Sequence, residues 1–192
     1  CQNIGVIPNI YLGRYNQYAQ EILDPSSALY DSAPQLVIIF LDTRSLLGDY
    51  YFLPYQMSDE DRKRWVDHKA DEFTSLIAAI QQHCTAKILV HNFEVPLHSP
   101  LGILEHKQPF GFKESIETLN AKLRDAFKSD SQVFLFDFDA FCSKIGKHHI
   151  LDHKMYYLGD IKLHVRHIPE LAAQYLSYIK TMLAMTKKCI AL

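Results

Sequence analysis

A buried-looking run that ends in two acids, Phe136-Asp137-Phe138-Asp139, is the arrangement in this chain with the most chemistry available to it. A carboxylate at a strand end can attack phosphorus, a second acid two residues on can carry the leaving-group proton, and magnesium would neutralise the charge. Two other apolar runs also end in polar groups, at Asp42 and at His91-Asn92. An amide such as Asn92 at a strand end can donate to a developing oxyanion. A late histidine, His164, precedes the last helix and could act as a base. Each of these has a simpler reading: Phe141, Cys142 and Ile145 continue an apolar helix face, so Asp137 can cap that helix. Asp42 and Asn92 can likewise cap loops and fix their shape.

Histidine is abundant elsewhere. His148, His149, Asp152 and His153 cluster, and His149 and His153 are four apart. On a helix that spacing could hold a metal with the carboxylate. Gly146, Lys147 and the pair Tyr156-Tyr157 argue instead for a solvated polar loop, with no metal. Arg62, Lys63, Arg64 and Lys69, among acidic neighbours, read as the solvated face of a helix.

The elements that must position these residues follow from hydrophobic pattern. Residues 36–41, 87–90, 133–136 and 189–192 are continuous apolar runs, the pattern of parallel strands covered on both faces. The run after Asp130 is expected to be the central strand. A long helix is expected from Ser58, which can cap Asp59-Glu60-Asp61, with Val66, Ala70, Phe73, Ile77 and Ile80 on its apolar face. Residues 113–128 repeat the pattern through Ile116, Leu119, Leu123 and Phe127. A short helix is expected near 140–144, and a last one opens at Ile168-Pro169-Glu170. Strand and helix in strict alternation predict a three-layer α/β/α sandwich with a mainly parallel sheet. The long segment 93–112, with Pro96, Pro100 and Pro109, is a loop directly after a strand end, where such folds place function.

Bulk composition bounds the partners. The 192 residues are 48% hydrophobic and 22% charged, ordinary for a globular protein. A net charge of -2 gives no general reason to expect nucleic acid or an anionic membrane, and no run has the length of a membrane span. Cys1, Cys84, Cys142 and Cys189 are scattered without C-x-x-C spacing, which suits reduced thiols and a cytoplasmic setting. Asn3-Ile4-Gly5-Val6-Ile7-Pro8 reads as a strand already in progress, and the chain reads as cut at both ends.

Several segments together resemble the N-terminal region of FkbH-like proteins. They are Tyr15-Asn16-Gln17-Tyr18-Ala19-Gln20-Glu21-Ile22-Leu23-Asp24-Pro25, Ala28-Leu29-Tyr30, Leu41-Asp42-Thr43-Arg44-Ser45-Leu46-Leu47, the Phe136-Asp137-Phe138-Asp139 run and Met155-Tyr156-Tyr157-Leu158-Gly159. The ending Lys187-Lys188-Cys189-Ile190-Ala191-Leu192 is similar to the stretch that in the family runs into the phosphatase motif of the haloacid dehalogenase (HAD) superfamily. The resemblance implies an SGNH-hydrolase-like (flavodoxin-like) domain over 1–185, with 186–192 leading into a HAD phosphatase domain of subfamily IIIC. It implies a parent that dephosphorylates a three-carbon acid with magnesium in that phosphatase domain and loads a glyceryl unit onto an acyl carrier protein. The expected partners are therefore the carrier protein and the phosphatase domain, and this chain is expected to need no cofactor of its own. Gly13, Asn16, Asp42 and Arg44 become candidate substrate-binding residues. The alternative is an SGNH-type acyl or acetyl ester hydrolase with Asn92 as oxyanion donor and His164 as base. The sequence departs in two places: HAD enzymes follow the second Asp with x-Thr or x-Val, where Ala140-Phe141 stands, and after Gly159 the stretch Asp160-Ile161-Lys162-Leu163-His164 replaces the apolar-Pro-Phe-Ser more usual in FkbH-like proteins.

Overall fold

Short β-branched and aromatic runs form three strands, β1 (Leu36–Ile39), β2 (Lys87–His91) and β3 (Val133–Phe136). They pair in parallel in the order β1-β2-β3, with Ile39 opposite Val90 and His91 opposite Phe136. The computed structural model describes residues 7–182, which divide into a larger unit, Tyr11–Lys144, and a smaller one of residues 7–10 with 145–182. The strand expected at 189–192 and the domain boundary expected after 185 lie outside the described residues.

In the larger unit the helices α1 (Tyr18–Leu23), α2 (Ala28–Asp31), α3 (Thr43–Leu47), α4 (Asp49–Phe52), α5 (Asp59–His83), α6 (Phe112–Phe127) and α7 (Phe138–Ile145) surround the sheet. Parallel strands need long crossovers, and α5 and α6 are the two that supply them. Ser58 starts α5 by accepting the Asp61 amide at 3.2 Å, and three acids in the first turn favour the positive end of the helix. Val66, Ala70, Phe73, Ile77 and Ile80 of α5 are all buried, as are Ile116, Leu119, Leu123 and Phe127 of α6. They pack with Val37, Ile39, Ile88, Val90 and Val133 into one core on one face of the sheet. Each fully buried aliphatic side chain contributes about 1.5–3 kcal/mol relative to exposure.

The opposite face is built from the alternate strand positions. Leu89 is completely buried there, and α7 lays aromatic rings against it: Phe141 lies 5.8 Å from Phe136, and Phe138 lies 5.0 Å from Phe40. The sandwich therefore has helix, sheet and helix layers, as the alternating pattern predicts.

In the larger unit two expectations change. Among the described strands β2, not β3, holds the central place, because both crossovers step the same way across the sheet. Arg62 is not on a solvated face: its side chain is buried and donates from Nε and Nη2 to the Phe110 carbonyl at 2.9 and 2.7 Å and from Nη1 to that of Met57 at 2.7 Å. Asp59 supplies its counter-charge. Charge pattern on the helix cannot distinguish an exposed arginine from one collecting loop carbonyls.

The smaller unit holds α8 (Lys147–Ile150), α9 (His153–Gly159) and α10 (Ile168–Met182). The histidine-rich stretch expected as a loop is thus two short helices. Asp152 starts α9 by accepting the Met155 amide at 3.0 Å. A single antiparallel bridge, Leu151 with Leu163, ties the segments around buried Ile150.

Candidate functional site

Parallel strands deliver their last residues to one edge, and in open α/β sheets that carboxyl edge is where ligands bind. After β1, Asp42 caps α3 through Oδ2, which accepts the Ser45 amide at 3.2 Å. Thr43, fully buried, donates its hydroxyl to the buried carboxylate of Glu94 from the end of β2. Arg44 is half-buried in the first turn of α3.

Asn92 ends β2 as a brace to the end of β3. Its Nδ2 donates to Asp137 Oδ1 at 2.8 Å, and its Oδ1 accepts the Asp139 amide at 3.0 Å. Asp137 Oδ1 also accepts the Ala140 amide at 2.9 Å, and Asp139 Oδ1 accepts the Val95 amide at 2.6 Å. Asn120 of α6 clasps Phe93 through both backbone groups, at 2.9 and 2.7 Å. The polar strand ends therefore form a lattice that joins β1 to β2, β2 to β3, and β2 to α6. Its chemistry is to lock turns in place.

His91 lies just beneath this lattice, 1% exposed. Its ring stacks on Phe136 at 4.5 Å and meets Phe40 at 4.3 Å and Phe138 at 5.5 Å. Burial among these rings pushes its pKa down to about 3, so it is neutral at physiological pH.

The loop 93–112 crosses the same edge and is organised by Glu105. That carboxylate is buried and accepts the hydroxyls of Tyr55 and Ser99 and, at 2.8 Å, the Lys113 amide. The α6 N-cap is Gly111, which has no side-chain acceptor, so Glu105 performs the capping from six residues upstream. A Cβ on Gly111 would stand 2.5 Å from Glu105 Oε1, so only glycine admits the carboxylate. Burial alone would raise the Glu105 pKa, but the hydrogen bonds from Ser99, Tyr55 and the Lys113 amide outweigh it and hold the carboxyl below its ordinary value.

Against this geometry, the family model for the FkbH N-terminal domain matches residues 3–180. This chain belongs to the FkbH N-terminal domain family. Among solved structures it is similar to the N-terminal part of protein BF1531 from Bacteroides fragilis, described as containing a phosphatase domain complexed with Mg. The TM-score is 0.79 at 20% identity, over 94% of this chain and 46% of that one. The likeness is one of fold, and this chain spans less than half the length of that neighbour. No curated protein matches the chain.

In this FkbH domain the candidate residues belong to different elements. Gly13 and Asn16 shape the turn before α1: a Cβ on Gly13 would come within 3.1 Å of Glu21 Oε2, and Asn16 has φ 54°. Asp42, Arg44 and Asn92 are at the carboxyl edge. His164 is in the smaller unit, where it starts a short 3₁₀ turn, its Nδ1 accepting the Arg166 amide at 3.4 Å.

The acid pair after β3 serves its own turn. The Oδ1 atoms of Asp137 and Asp139 already hold backbone amides, and Asp137 Oδ1 also holds the Asn92 amide group. Among the described residues no group of three or more His, Cys, Asp or Glu side chains is placed to hold a metal ion. No helix of the described residues is long and apolar enough to cross a membrane. Sequence reasoning missed Thr43, Glu94, Glu105 and Asn120. A lone Glu inside Phe93-Glu94-Val95-Pro96 and another inside the proline-rich loop were the available signals, since an acid in apolar surroundings needs a partner.

Proposed function

We propose that this FkbH domain is a recognition scaffold that holds a carrier protein or its substrate for a magnesium-dependent HAD phosphatase domain. On this reading the parent protein dephosphorylates a phosphorylated three-carbon acid and transfers a glyceryl unit to an acyl carrier protein. Membership of the family supports it, as does the similarity to a fold whose solved example is described as containing a phosphatase domain. The observation that carries the non-catalytic role is the state of the strand-end acids. Asp137 Oδ1 caps α7 and receives the Asn92 side chain, so the acid that would serve as nucleophile is here part of the brace between β2 and β3. Magnesium would then act outside this domain.

The test uses the 192-residue chain. Incubated with p-nitrophenyl phosphate and Mg²⁺, or with p-nitrophenyl acetate, it should release no p-nitrophenol above background. In a calorimetric titration it should bind an acyl carrier protein. Phosphatase activity lost in Asp137→Asn, or esterase activity lost in His164→Ala, would refute the scaffold reading.

A further inference from the structure

We draw no further inference here: the strongest candidate, the outer edge of the sheet along β1, where Ile38 and Phe40 stand exposed beside the buried Leu89 and His91 of β2, is an apolar sheet edge at which nothing among the described residues shows what covers it.

Discussion

Replacing His91 by phenylalanine should remove a defined part of the acid sensitivity of this domain. The His91 ring is 1% exposed and stacked between aromatic neighbours, so protonation in the folded state requires burying a charge. Its folded pKa lies at about 3 against an ordinary 6.5. The unfolded chain therefore takes up a proton below pH 6.5 that the folded chain refuses until pH about 3. Stability attributable to this group is complete above 6.5 and falls as the pH drops, by about 1.4 kcal/mol per unit. Between neutral pH and pH 5 the loss is about 2 kcal/mol. Phenylalanine fits the same ring stack and cannot protonate. Urea unfolding of both proteins at about pH 7.5 and pH 5 isolates the effect, because every other titrating group is common to the two. The stability difference between wild type and His91→Phe should shift by about 2 kcal/mol in favour of the variant at the lower pH. Parallel pH profiles would refute the claim that His91 is buried and neutral.

Gly111→Ala should cost about 1–3 kcal/mol in chemical denaturation, because the added methyl meets a carboxylate that three donors hold in place. Asn92→Ala should cost about 1–2 kcal/mol by removing both bonds of the brace between β2 and β3, with a lowered thermal midpoint as the measurement. Leu89→Asp should abolish soluble folded protein, since it buries a charge in the middle strand. Phe134→Asp, at a half-buried position with Lys87 Nζ 5.9 Å from the ring, should cost only about 1–2 kcal/mol and leave a cooperative unfolding transition. Equal solubility of the two variants would contradict the strand order.

Comparison of particular elements shows where pattern suffices. Ser58 with its three following acids marks the start of α5 because capping and dipole effects act over one helical turn. The aliphatic spacing on α5 and α6 names their buried faces for the same reason: side chains three and four apart must share a side. Asp42 and Asp137 are legible as caps, each bonding an amide three residues ahead. Arg62 is not legible. Whether a guanidinium meets water or two backbone carbonyls depends on where residues 57 and 110 come to lie. The two helices of the histidine-rich stretch are not legible either, because short helices carry too little periodicity to register and α9 is started by the local cap at Asp152.

The candidate edge divides along the same line. That polar residues stand at strand ends is written in the chain, since each follows an apolar run by one or two positions. Whether such residues are open for chemistry or bound to each other is a question about pairs 44 to 51 residues apart. Asn92 with Asp137, Thr43 with Glu94, and Asp139 with Val95 meet only because parallel pairing brings three distant ends to one edge. The family, the alternating architecture and the helix faces were therefore determined by local sequence, through short-range capping and periodicity. The bracing of Asn92, Asp137 and Asp139 against one another was decided by tertiary structure, because hydrogen-bond partners far apart in the chain exist only once the sheet has formed.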